Sequence, residues 1–141
     1  MSGSMKITPA DQMFSLCIRE RSGWVCERCH TPYESGSRGL HCSHFIGRGN
    51  WAVRFEPLNA FAHCMGCHMH FEGNPHEFVL WAREQLGDNY DLLIEKSNDL
   101  MLGKSNRHEK SAIASHYRQQ YDEMLRKRAG GVIGYLEFMG W

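Results

Sequence analysis

Apolar residues return at helical spacing through residues 9–21. Met13, Phe14, Cys17 and Ile18 fall on one face, with charged and polar positions between them. Thr8 is a capping residue and Pro9 suits the first helical position, so the pattern predicts a helix from Pro9 to about Arg21, stopped by Gly23. Leu40-His41-Cys42-Ser43-His44-Phe45 reads as a short strand. The turn Gly47-Arg48-Gly49-Asn50 follows, and Trp51-Ala52-Val53-Arg54-Phe55 reads as a second strand. Glu56-Pro57-Leu58-Asn59 closes that strand and opens a helix through about Phe71.

The rest of the chain reads as helical. Asn74-Pro75 starts a helix that runs through Phe78, Val79, Trp81, Ala82 and Leu86 to Gly87. Residues 88–101 form a further helical stretch, and Gly103-Lys104-Ser105-Asn106 reads as a linker. A long helix is expected over residues 108–129, with Ile113, Tyr117, Tyr121, Met124 and Leu125 in one stripe. That stripe would pack on the domain or on a second copy of the chain. After Gly130-Gly131 comes an apolar tail, Val132 to Trp141, which would fold back on the core or dock on a partner chain; the sequence leaves both open.

At 141 residues the chain is long enough for one domain with a modest core and an appended arm. We place the domain at residues 5–103 and the arm at 104–141. Met1-Ser2-Gly3-Ser4 reads as a cloning remnant ahead of a native Met5. The formal net charge is zero, which gives no basic signature for the whole chain. The charge is segregated, however. Basic residues outnumber acidic ones in 17–54 and in 102–141, and acidic residues dominate 55–101. Beside an acidic face this leaves room for a DNA-binding one. No apolar run approaches the length of a membrane span, and residues 1–16 lack the apolar core of an export signal. The expectation is a cytoplasmic protein with reduced cysteines.

The cysteines change the picture most. Cys26-Glu27-Arg28-Cys29 and Cys64-Met65-Gly66-Cys67 are two C-x-x-C pairs. Each short turn directs two sulfurs at one ion, and four sulfurs suit tetrahedral zinc. The remaining cysteines, Cys17 and Cys42, read as small apolar packing residues. Residues 30–63 form an insert that leaves the first pair and returns to the second. Histidines are concentrated in that insert and just after it, His41, His44, His68 and His70 among them.

The strand, strand, helix order with His44 on the first strand, Asn59 five residues before Cys64, and the run C-x-x-C-H ending in His68 resembles the HNH nucleases. The resemblance covers roughly Arg19 to Asn74. Ser43-His44-Phe45, Arg48, Arg54-Phe55, Asn59, Cys64-x-x-Cys67 and Gly73-Asn74 together resemble most closely the NinG/Rap family of phage recombination nucleases. The resemblance implies an α+β fold in which a zinc-stabilised ββα-metal core carries additional flanking helices. It implies that His44 is the general base, that Asn59 orients it and that His68 holds a catalytic Mg²⁺ or Mn²⁺. The host cell's cytoplasm would be the setting, and branched or single-strand-containing DNA the substrate.

Those residue types suit the chemistry. A neutral imidazole takes the proton of an attacking water, an amide oxygen fixes the tautomer, and a divalent ion stabilises the charge on phosphate and leaving oxygen. Arg48 and Arg54 lie where they would clamp phosphate oxygens. The pattern departs from the family at Ser43, where many members place an acidic metal ligand. His41, His70, Glu72 or Asn74, or water, would then complete the shell. The chief expectation is a DNA endonuclease. Three alternatives stand beside it: a zinc-scaffold DNA-binding module without catalysis, a restriction-type or nicking HNH nuclease, and an interaction module that uses the long helix and tail, with homodimerisation through that helix.

Overall fold

The structure is a computed structural model that describes residues 6–141; Met1 to Met5, including the proposed cloning remnant, lie outside the described residues. The first helix, α1, spans Pro9–Arg21 and begins with a reciprocal cap. The Asp11 amide donates to Thr8 Oγ1 and the Thr8 amide donates to Asp11 Oδ2, at 3.3 and 2.8 Å. Strand β1, Leu40–His44, lies where the sequence places it. It pairs antiparallel with β2, Ala60–Cys64, in a two-stranded sheet that sets Leu40 opposite Cys64, His41 opposite His63 and His44 opposite Ala60.

The second strand is therefore not Trp51–Phe55. Those residues fold as successive turns, held by bonds such as Val53 N to Asn50 O and Glu56 N to Val53 O. The expected helix across residues 56–71 is likewise replaced. Pro57–Asn59 is one 3-10 turn, β2 follows it, and helix α2 starts only at Met65 and ends at Gly73. The physical reason is burial. Every residue of β2 is buried, so it lacks the alternation that marks a half-exposed strand. One sheet face turns Leu40, Ala62 and Cys64 to the knuckle, the tight turn over residues 24–33 closed by pairing of Val25 with Pro32, and Ala60 to α1. The other turns Phe61 toward Phe71, Phe78 and Trp81. Beside β2, Glu27 donates its amide to the Ala62 carbonyl and accepts the Ala62 amide on Oε2, which satisfies both backbone groups of that residue.

Helices α3 (Pro75–Leu86) and α4 (Asn89–Ser97) follow. The expected 88–101 stretch breaks at Asn98, because Asp99 caps a new helix, α5 (Leu100–His108), by accepting the Leu102 amide. The proposed linker Gly103–Asn106 thus lies inside α5. The boundary at 103/104 also falls within that helix. Helix α6, Lys110–Ala129, matches the expected long helix, and its Ile113, Tyr117 and Met124 are buried against α1. The tail returns over the same core. Phe138 packs on Phe14 and Tyr117, and the Trp141 amide donates to the Tyr117 hydroxyl at 3.0 Å. Among the described residues no helix is long and apolar enough to cross a membrane.

Candidate metal centre and histidine pocket

Cys26, Cys29, Cys64 and Cys67 converge so that their sulfurs all lie within 4.8 Å of one another. Cys26 and Cys29 come from the knuckle, which turns tightly because the His30 amide donates to the Cys26 carbonyl and Trp24 and His30 take left-handed backbone angles. Cys64 ends β2 and caps α2, its sulfur accepting the Cys67 amide at 3.4 Å. The Cys29 and Cys64 sulfurs are 3.7 Å apart. A tetrahedron with zinc–sulfur arms of about 2.3 Å has edges of about 3.8 Å, so the four thiols fit a zinc ion. None of the cysteines is in a disulfide. The Arg28 guanidinium donates to the Cys67 sulfur at 3.4 Å, which offsets part of the negative charge of a four-thiolate cluster. Among the described residues this is the one group of three or more His, Cys, Asp or Glu with ligating atoms so converged.

A second centre lies beside it. His44, Arg48, His68 and Glu72 line a cavity of about 560 Å³ that Asp11, Ser15 and Arg19 of α1 help to enclose. His44 Nε2 lies 2.9 Å from the Arg54 carbonyl. A carbonyl only accepts, so Nε2 carries the proton and the neutral ring keeps its lone pair on Nδ1. Burial pushes the His44 pKa down to about 4, with the nearby Arg48 charge adding to that and the Arg54 carbonyl opposing it. The ring is neutral at physiological pH.

His68, the residue after Cys67, meets two of the four candidates for a second ligand. Its Nδ1 is 3.0 Å from His41 Nδ1, and its Nε2 is 3.2 Å from Glu72 Oε1. Burial lowers the His68 pKa, against the pull of Glu72. The other two candidates are engaged elsewhere. His70 pairs with Glu77, and the Asn74 amide donates to the His70 carbonyl at the end of α2. Ser43 turns to the opposite sheet face, where its hydroxyl is buried without a hydrogen-bond partner.

Asn59 is fully buried, and its amide bonds to the chain on either side of the turns. Its Oδ1 accepts the Ile46 amide at 2.7 Å, and its Nδ2 donates to the carbonyls of Ile46 and Val53 at 2.8 and 3.1 Å. It fixes the segment that carries the Arg54 carbonyl; the oxygen on the His44 ring is that carbonyl, not the Asn59 amide.

Arg54 does not reach the surface. It is 1% exposed, and its Nε and Nη2 donate to the two Asp11 carboxylate oxygens at 2.9 and 2.8 Å. The guanidinium also stacks over Trp51 at 4.2 Å. The expected phosphate clamp is thus a core ion pair, because α1 brings Asp11 under the turn. Arg48, in contrast, faces the His44 cavity.

Two participants escaped the sequence reading. Asp11 reads as a helix cap, and nothing in its sequence neighbourhood marks it as the partner of Arg54. His63 sits fully buried among Phe61, Phe71 and Trp81, with neither ring nitrogen hydrogen-bonded and its pKa lowered to about 3 by burial. Its only sequence signal is its place in an otherwise apolar run.

No protein-family model, no curated protein and no solved structure matches the chain. The geometry of the two centres therefore carries the functional reading.

Proposed function

We propose that the chain is a metal-dependent DNA endonuclease of the HNH type, with a structural zinc at the four cysteines. The observation that carries this reading is the His44 ring: neutral, held through Nε2, and lining one cavity with His68 and Arg48. The strand, strand, helix order around it supports the same reading. His44 Nδ1 accepts a proton from water as the water oxygen bonds to phosphorus and the bond to the leaving oxygen breaks. Arg48 holds the phosphate. His68, with His41 or Glu72, would hold a Mg²⁺ or Mn²⁺ ion, which supplies charge stabilisation at the phosphate and leaving oxygen. The resemblance to NinG/Rap proteins makes branched or single-strand-containing recombination DNA the substrate to try first.

One observation favours a second reading, a zinc-scaffold module that binds DNA without cutting it. Ser43 stands in place of the acidic ligand, and its buried hydroxyl offers a metal no charged oxygen. Cleavage assays on supercoiled, linear, single-stranded and four-way-junction DNA with Mg²⁺ or Mn²⁺ separate the two. Cutting by the wild type that His44→Ala abolishes, at unchanged zinc content, is expected. Binding without cutting, from folded zinc-loaded protein, would establish the second reading.

A further inference from the structure

The loop that carries Arg48 has a second side. Arg48 lines the His44 cavity, and the next residue, Gly49, lines a separate cavity of about 510 Å³ together with Asn50, Trp51, Lys104 and Arg107. That second cavity lies between the loop and one face of α5. Its walls are fixed. Asn50 Nδ2 donates to the Ser97 carbonyl at 2.9 Å, and Asn106 Nδ2 donates to the Trp51 carbonyl at 3.0 Å. Gly103 lets α5 approach closely, since a Cβ there would come within 3.3 Å of the Ala52 amide.

Cations gather at this cavity around one indole. The Arg107 guanidinium lies 5.2 Å and the Lys110 ammonium 5.7 Å from the Trp51 ring centre, and the buried Arg54 guanidinium packs at 4.2 Å. Lys104, Arg107 and Lys110 are exposed, and none of them pairs with a carboxylate among the described residues. Asp99 is the one acidic residue lining the cavity, and its Oδ1 is occupied by the Leu102 amide. With Arg54 packed over the ring, Trp51 is poorly placed to stack a base. It holds cations in position instead. The ligand chemistry this selects is a row of phosphates.

We propose that Lys104 on the cavity wall, with Arg107 and Lys110 arranged on Trp51, forms a second binding site for the sugar–phosphate backbone of DNA, joined to the His44 cavity by the Arg48–Gly49 loop. The proposal rests on the nuclease reading and extends it: the strand cut at His44 runs on over the loop and along α5. Contacts of this kind grip phosphate and not base, so the site adds affinity without sequence preference.

The test is binding of a fluorescein-labelled oligonucleotide, single-stranded and duplex, across a salt series without added Mg²⁺ or Mn²⁺. Wild-type protein is compared with Lys104→Ala/Arg107→Ala and with a charge-matched control, Arg126→Ala/Lys127→Ala on the far end of α6. All four positions are exposed, so folding is retained, and zinc content confirms it. The expected result is affinity weakened about tenfold by the α5 pair, alike for different sequences, and a log–log salt slope reduced by about 1.8 on duplex DNA. The control pair should change neither. Unchanged affinity in the α5 variant, or equal losses in both variants, overturns the site. If that happens while the wild type cuts DNA, the nuclease reading survives alone. Binding that depends on the α5 pair, from a wild type that cuts no DNA form, upholds the site and sinks the nuclease reading. Absence of DNA binding by the wild type overturns both.

Discussion

The Nε2 proton of His44 rests on the backbone carbonyl of Arg54, 2.9 Å away, while the Arg54 side chain is turned into the core onto Asp11. One residue thus orients the candidate base with its main chain and anchors that main chain with its guanidinium. The carbonyl stays in place because Asn59 ties Ile46 to Val53 across the turns. Asn59→Ala would strand three backbone groups, the Val53 carbonyl buried and the Ile46 amide and carbonyl half-buried. At about 1 kcal/mol or more for each lost bond, the cost is roughly 3–4 kcal/mol, measured by urea denaturation. Cleavage should fall with it even where folded protein is recovered, because the His44 ring loses its support. An Asn59→Ala protein of unchanged stability would remove Asn59 from this role.

The low pKa of His44 gives stability a pH dependence of known sign. In the unfolded chain the ring titrates near 6.5, and in the fold near 4. Between those values the unfolded state binds more protons, so stability is complete above about pH 6.5 and falls as the pH drops toward 4. From pH 7 to pH 5 the loss due to this group is about 2 kcal/mol. Acid would also weaken any metal binding at the four cysteines, so the contribution is isolated by comparing the wild type with His44→Gln. The urea midpoint of the variant should fall less over the same interval. Parallel curves would mean that His44 is not buried neutral.

Where the sequence was legible, local chemistry decided the structure. Thr8-Pro9-Ala10-Asp11 is a complete helix start by itself, and α1 begins there. The two C-x-x-C pairs meet as their spacing implies. His44 lies on a strand and His68 in the first turns of a helix, both lining one cavity. What was not legible depends on tertiary burial. Ala60 to Cys64 has no period-2 alternation because both of its faces are covered, so the strand hides in a run that reads as a helix start. Trp51 to Phe55 has the composition of a strand, yet four of its carbonyls face side chains instead of a neighbouring strand: Asn106 on Trp51, Asn59 on Val53, His44 on Arg54 and Tyr117 on Phe55. Arg54 reads as a surface cation because its partner, Asp11, is separated from it by most of the insert.

The Asp11–Arg54 pair should behave as a core element and not as part of a DNA surface. Burial raises the Asp11 pKa, but the hydrogen bonds from Arg54 and Thr8 outweigh it and hold the carboxyl below its ordinary value. Asp11→Ala leaves a buried guanidinium without its counter-charge and removes the Thr8 cap bond. The expected cost is about 3–5 kcal/mol, seen as a large drop in the denaturation midpoint. Asp11→Ala/Arg54→Met should recover a good part of it, since it removes the stranded charge. If Arg54 instead contacted phosphate, Asp11→Ala would free it and strengthen DNA binding by folded protein; weakened or unchanged affinity is the expected result.

The four-cysteine cluster yields the most direct prediction. A cluster whose sulfurs come from the knuckle and from the β2–α2 junction joins two parts of the chain that share little other covalent proximity. The free energy of a metal bound there would therefore be folding free energy. Metal analysis should find about one zinc per chain. Chelation should unfold the knuckle and expose Trp24, now buried with its indole N–H on Glu20 Oε1 at 3.1 Å, so its fluorescence should shift to the red. Cys64→Ser should do the same and lower the midpoint further than Cys29→Ser. Cys64 also receives the Cys67 amide as the cap of α2, whereas Cys29 is exposed at the rim of the cluster. A Cys64→Ser protein that stays folded without metal would show that the fold does not need the cluster, and that the four cysteines serve some other chemistry.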